Sequence, residues 1–453
     1  MKQTETIILG GGLTGLTIAH NLKKKNRTCI VLEKSYRAGG VISSGEKDGF
    51  TFEKGPNTGV YSTPELVRLF DELSDGCKLV LADSNAAKRL IWKGTKWRTM
   101  PSGLFSAVST PLFTFYDKFR ILGEPFRKPG SDPDESVAKL VRRRMGDSFL
   151  AYAVDPFISG VYAGNPEKLI TRFALPKLYN LEQNYGSFIG GAIKKRKEPK
   201  TDLEKRATRE VFSVEGGLGK LVEALVSGIG EENIITGHEA IAVVKDGDYY
   251  IVRSGSKAIA RAPSLVTSFG GDLLAEVLPF VDSSLMQKIT EMDYARVVQV
   301  ALGYKKWDGI KLDAFGGLVP SCEGRKVLGI LFPSAIFKNR APEGGALLSV
   351  FLGGYRSAGI IDLDDEDIKK IVMSEIREMM GTDSMPDLIE IFRYRKAIPQ
   401  YELSSGDRFE AIKQIEHKNK GLFLAGNIRN GIGIADRVAQ ASLISTELIK
   451  KMQ

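Results

Sequence analysis

The chain has 453 residues, 43% of them hydrophobic and 26% charged, with a formal net charge of +9. That length calls for two or three folded domains, and that composition excludes a disordered or collagen-like chain. Three histidines and three scattered cysteines (Cys29, Cys77, Cys322), with no CxxC, argue against a multi-histidine metal site and a disulfide framework, and suit a reducing compartment.

In chain order, ETIILGG (5–11) predicts a buried strand, LTGLTIAHNLKKK (13–25) a helix and TCIVLEKS (28–35) a second strand, one βαβ unit. The apolar stretch at 6–9 is too short for a secretory leader and runs straight into a glycine turn. An amphipathic helix is predicted over 63–73, and strands within KRLIWKGTKW (88–97). The uncharged run TMPSGLFSAVSTPLFTFY (99–116) holds two prolines and a glycine, a poor membrane span that leaves contact with a membrane surface open. From 103 to 195 the pattern is helical, with Ser131 or Asp132 expected to open a helix in SDPDESVAKLVRRRMG. Basic side chains outnumber acidic ones over 100–205, including RRR (142–144) and KKRKEPK (194–200). Such charge suits a solvated face, an anionic lipid surface or nucleic acid; no nucleic-acid motif accompanies it, so that partner ranks last. VFSVEGGLGKLVEALVSGIG then predicts a strand, a Gly-Gly turn and a helix, and the text stays β-rich to about 355. A helix near 365–380, RYRKAIPQY, and a final strand and helix in GLFLAGNIRNGIGIADRVAQASLISTELIKK complete the chain, without internal repeats.

The chemistry is concentrated in the glycines. GGGLTG satisfies G-x-G-x-x-G at Gly10, Gly12 and Gly15, with Leu13 and Thr14 opening the helix. The first glycine permits the turn, the second lets a pyrophosphate approach and the third lets helix and strand pack. Glu33, at the end of the next strand, would accept from a ribose 2′-OH and repel a 2′-phosphate, which disfavours NADP. Directly after Glu33 and Lys34 come Arg37, Gly39 and Gly40 in RAGG, a second glycine pair that a longer cofactor than NAD needs.

Strand, GxGxxG, Glu and RxGG in this order resemble the FAD enzymes of the amine oxidase and protoporphyrinogen oxidase superfamily. The C-terminal Gly426-Asn427 and Gly431, Gly433, Ile434 and Ala435 match the second helix start that such enzymes turn toward the pyrophosphate and flavin. EKGPNTGV (53–60), DPFISGVYAGNPEKL (155–169), FSVEGGLGKLVEAL (212–225), AIPQY (397–401) and the LVPS…LG…F…RAP block look like the protoporphyrinogen oxidase branch. SFGG (268–271) departs from the usual strand end, and Ala240 stands where a valine often meets the adenine.

The resemblance implies an α/β chain: a Rossmann-type FAD domain (1–84, 206–278, 405–453), an inserted β-sheet substrate domain (85–99, 279–404) and a helical, membrane-facing domain (100–205). It adds Gly55, Pro56 and Asn57 to the cofactor site. Asn57 and Arg89 would face substrate, Arg89 gripping a carboxylate, with Phe315, Gly316 and Leu318 in the apolar sandwich around the pyrrole rings and Phe351 on the opposite side. His20 is expected to be structural, and Cys322 is not placed for a covalent flavin bond, so FAD would be non-covalent, with no metal. The implied reaction is oxidation of protoporphyrinogen to protoporphyrin in haem biosynthesis, hydride passing to flavin and dioxygen giving hydrogen peroxide. Coproporphyrinogen III oxidation is the alternative, then an amine oxidase or desaturase, with a non-catalytic GDP-dissociation-inhibitor-like protein last. A cytoplasmic protein, peripheral on the membrane's inner face and able to form a homodimer, completes the expectation.

Overall fold

A computed structural model of the protein describes residues 1–101, 106, 109–238 and 241–452. Five parallel strands form the first sheet, in the order Ile234–Ile235, Cys29–Leu32, Thr6–Leu9, Ser264–Thr267 and Leu422–Leu424. Their side chains alternate between two cores, as the strand period of two requires. Ile8, Val31, Val266 and Phe423 pack on helices Leu13–Lys23, Gly219–Ile229 and Ile434–Lys451. Ile7, Leu9, Ile30, Leu32 and Leu265 face the other way, toward Val243, Tyr250, Val252 and Ala260 of a four-stranded sheet. Because the five strands are parallel, the glycine turn after Leu9 and the loop after Leu424 emerge at one edge. The two ends of the chain therefore meet there.

The first two strands are shorter than expected. Gly10 turns the chain out of the ladder at φ +103, and Glu33 folds its carboxylate back onto the backbone.

The second sheet has seven strands, ordered Leu388–Pro399, Tyr294–Tyr304, Ala346–Gly353, Val327–Leu331, Gly316–Leu318, Arg89–Lys93 and Lys96–Thr99. Val298, Val300, Leu302, Ile330, Val350 and Leu352 bury one face against helix Asp365–Met380. RYRKAIPQY supplies most of one edge strand, where charged side chains discourage pairing with other chains.

The helical segment departs from expectation at its cap. Ser136 opens helix Val137–Arg144, accepting from the Lys139 N–H at 3.3 Å, in place of Ser131 or Asp132. A backbone bridge to Ile170 holds Ser136 extended, whereas Asp132 accepts from the Asp134 N–H within its own turn. Helices Ser283–Thr290 and Ser405–Lys418 were not foreseen. Among the described residues no helix is long and apolar enough to cross a membrane. Part of the 99–116 run lies outside the described residues.

Candidate active site

The glycine turn is held by contacts that only glycine permits. A Cβ on Gly15 would stand 2.1 Å from the Gly10 carbonyl oxygen, so helix and strand could not pack as they do. A Cβ on Gly12 would meet nothing within 4 Å, which leaves the space over the turn open. The RAGG loop lies directly against it: the Gly39 N–H donates to the Gly11 carbonyl at 2.7 Å, and Gly12 and Gly39 form a parallel bridge. Ser268 of the atypical SFGG closes the underside, its hydroxyl donating to the Gly10 carbonyl at 2.8 Å. That departure therefore belongs to the turn's packing.

Glu33 is buried and accepts from the N–H groups of Gly11 (2.7 Å) and Ser35 (2.8 Å). Its carboxylate is thereby oriented, with lone pairs left for a hydroxyl. Gly10, Glu33, Lys34, His238, Ile241 and Phe269 line an open cleft at the strand ends, where a ligand of such a sheet binds. Leu13 and Thr14, at the helix start, are buried. Ala240 lies outside the described residues. The Arg37 guanidinium donates to the carbonyls of Ala38, Gly40 and Ile42, bracing the glycine pair. Its charge helps hold the nearby Tyr394 hydroxyl down, but burial dominates and pushes that phenol up to about 12.

The C-terminal loop shows the same economy. The Tyr401 hydroxyl lies 3.0 Å from the carbonyls of Asn427 and Gly431, and the Arg408 Nε donates to Ile428 at 3.0 Å. Arg437 takes the carbonyls of Arg429 and Asn430 at 2.9 and 2.8 Å. With those carbonyls bound from beneath, the start of helix Ile434–Lys451 is left with the N–H groups of Ile434 and Ala435 for an anion. Gly426 is fixed separately, its N–H donating to Gln440 at 2.9 Å. Sequence reading missed Tyr401, Arg408, Arg437 and Gln440, whose role depends on loop carbonyls no pattern displays.

The loop GPNT joins the two sheets. Gly55 has φ +144, and a Cβ there would lie 2.1 Å from the Val41 carbonyl oxygen. Its N–H donates to Gln299 (3.2 Å), whose amide donates to the Glu53 carbonyl (2.8 Å). Pro56 is partly exposed beside it. Asn57 is buried, donating to Gly55 (3.2 Å) and accepting from the Ser349 hydroxyl (2.7 Å), so its amide braces the loop. Beneath, Arg340 donates to Glu53 at 2.9 Å, both side chains being 4% exposed, and to Ser213 at 2.6 Å. Neither Glu53 nor Arg340 was singled out from sequence.

Register decides where the remaining candidates lie, because directly paired residues share a face. Gln299, Phe351, Gly329, Leu318 and Ile91 form one row across five strands; Ser349, Leu331, Gly316 and Arg89 form the next. Phe351 thus shares the face of Leu318 in place of standing opposite it, because both pair with Gly329, and Gln299 and Ser349 place this face against GPNT. Leu318 reaches helix Asp155–Val161, where a Cβ on Gly160 would meet it at 2.5 Å. Phe315 does not join this group: its ring packs with Ala86, Ile336 and Phe337. His20 is buried and hydrogen-bonded to Glu72 at 3.0 Å, a packing role, and burial pulls its imidazole below the usual range.

The chain matches the family described as flavin containing amine oxidoreductase over residues 13–443. It belongs to that family. It resembles protoporphyrinogen oxidase 1 (chloroplastic) of Arabidopsis thaliana, 32% identical over 463 residues, covering 95% of this chain and 85% of the relative. Coproporphyrinogen III oxidase of Bacillus subtilis is 25% identical, covering 96% and 95%. The crystal structure of a candidate protoporphyrinogen oxidase from an Exiguobacterium species shares the fold, with a TM-score of 0.82 at 21% identity over 100% of this chain and 99% of that one. A member of this family, the protein is an FAD-dependent oxidoreductase, and its residues fit that cofactor. The open space over Gly12, the oriented Glu33 and the loop with its carbonyls bound from beneath are what a diphosphate, a ribose and a flavin edge require.

Proposed function

We propose that this flavoenzyme oxidises a porphyrinogen to the matching porphyrin in haem biosynthesis, with protoporphyrinogen IX as substrate. One observation carries the reading: the face of the seven-stranded sheet that meets GPNT also bears Leu318, Phe351 and the exposed Arg89. An apolar bed with a guanidinium at its margin suits a large macrocycle bearing carboxylates. The conversion removes six hydrogens in three two-electron steps. Bound FAD supplies the two-electron acceptor, and dioxygen takes each pair on as hydrogen peroxide. The chain's own residues bind and orient. Leu318 and Phe351 lie against one side of the rings and exclude water there, while Arg89 anchors a carboxylate through charge-assisted hydrogen bonds. Coproporphyrinogen III is the second reading, favoured by near-full-length likeness to enzymes named for it in Bacillus subtilis and Propionibacterium freudenreichii.

The test follows porphyrin fluorescence with each porphyrinogen in air, together with flavin absorption. A flavin-loaded protein that converts neither porphyrinogen would end the proposal. Arg89→Ala is expected to raise KM roughly tenfold, about 1.4 kcal/mol, with flavin content unchanged. Unaltered kinetics would remove Arg89 from the site.

We also propose peripheral attachment to an anionic membrane. Helix Phe115–Leu122 exposes Phe115 (75%), Tyr116, Phe119 and Leu122, and Phe126 beyond it is 91% exposed, within the basic segment. Phe119→Asp combined with Phe126→Asp is expected to abolish co-sedimentation with phosphatidylglycerol vesicles. Equal sedimentation of variant and parent would discard the attachment.

A further inference from the structure

The cation assigned above has a neighbour of the same sign. Strands Arg89–Lys93 and Lys96–Thr99 form a hairpin in which Leu90 pairs with Thr99 and Ile91 with Arg98. The Met100 N–H donates to the Arg89 carbonyl at 2.8 Å, which extends the pairing by one residue. Ile91 lies on the face of Leu318, so Arg98 does too, and Arg98 is the diagonal neighbour of Arg89. Such diagonal positions are about 7–8 Å apart, within reach of two long side chains.

Both arginines are exposed, and neither guanidinium has an acidic or carbonyl partner among the described residues. On the opposite edge strand of this sheet the arginines are paired, Arg393 with Asp365 and Arg395 with Asp362, each at 2.6 Å. The nearby Asp313 is engaged by Lys88 at 2.9 Å. Adjacent unpaired like charges on one sheet face are unfavourable unless something anionic joins them.

Resting on the porphyrinogen reading, we infer that Arg89 and Arg98 form a two-point clamp for a pair of neighbouring carboxylates on the substrate. Arg98 is thus a further binding residue, and the site selects macrocycles whose two acidic arms lie side by side at one edge. Each guanidinium takes one carboxylate, and the half-buried Leu318 and Phe351 of the same face receive the rings.

The experiment uses the flavin-loaded enzyme and its Arg98→Ala and Arg98→Lys variants. It measures kcat and KM for the porphyrinogen, and equilibrium binding of protoporphyrin and of its dimethyl ester in detergent. Arg98→Ala is expected to raise KM and weaken protoporphyrin binding roughly tenfold while leaving ester binding unchanged. Arg98→Lys should recover part of the loss, because charge is kept and the fork is not. Flavin content and melting temperature equal to the parent separate binding from folding. Arg98→Ala with parental KM and parental protoporphyrin affinity overturns the clamp, as does equal weakening of diacid and ester. A parent enzyme that oxidises no porphyrinogen instead defeats the functional reading on which the clamp rests.

Discussion

Gly15→Ala is expected to purify colourless and with a lowered melting temperature. The added methyl would sit 2.1 Å from the Gly10 carbonyl oxygen and 2.8 Å from the Ser268 hydroxyl. A backbone oxygen cannot rotate away, so helix Leu13–Lys23 must move off its strand, an overpacking cost of about 1–3 kcal/mol or more. The movement also displaces the first-turn N–H groups that would meet a bound pyrophosphate. Gly12→Ala separates the two effects. Its methyl meets no protein atom within 4 Å and its φ of −75 is ordinary for any residue. Apo stability should stay within about 0.5 kcal/mol, while FAD affinity falls roughly tenfold, about 1.4 kcal/mol. Melting curves are compared on flavin-stripped proteins, because bound cofactor itself stabilises. Parental FAD affinity in Gly12→Ala would show that the pyrophosphate does not pass over this turn.

Arg340→Met should be the most destabilising single change away from the glycines. Glu53 would remain buried with Ser44 and the Leu218 N–H as partners, its charge uncompensated. Breaking a buried pair in this way costs about 3–5 kcal/mol. The loss should reach the cofactor, because the same strand end carries the Glu53 carbonyl that holds Gln299, and Gln299 holds Gly55. Glu53→Gln combined with Arg340→Met is expected to recover part of the stability, since a neutral amide still accepts from the Leu218 N–H. A double variant no more stable than Arg340→Met, in denaturant titration, would show that packing rather than the charge pair accounts for the cost.

The cofactor half was legible because it is local. Strand, GxGxxG, Glu33 and RAGG occupy one continuous stretch, and each residue's role depends on neighbours within a few positions. Register is a different kind of information. Nothing between 89 and 351 states that Arg89, Gly316, Leu318 and Phe351 share a face. That follows from strands separated by more than two hundred residues pairing in one sheet. Phe315, one residue from Gly316, packs on Ala86, Ile336 and Phe337 instead. The cap of helix Val137–Arg144 was misplaced for the same reason, since the contact that fixes Ser136 comes from Ile170.

By itself, then, the sequence determined the class of cofactor and the parallel sheet that presents it. Glycine conformations and strand periodicity are short-range properties written into neighbouring residues. Only the tertiary structure decided which polar groups brace the site and which remain for a ligand. Glu53 and Arg340 lie 287 positions apart, and Tyr401, Arg408 and Arg437 become supports only once the loop at 426–433 rests on them. A buried hydrogen bond needs two partners in space, and chain distance says nothing about where the second one is.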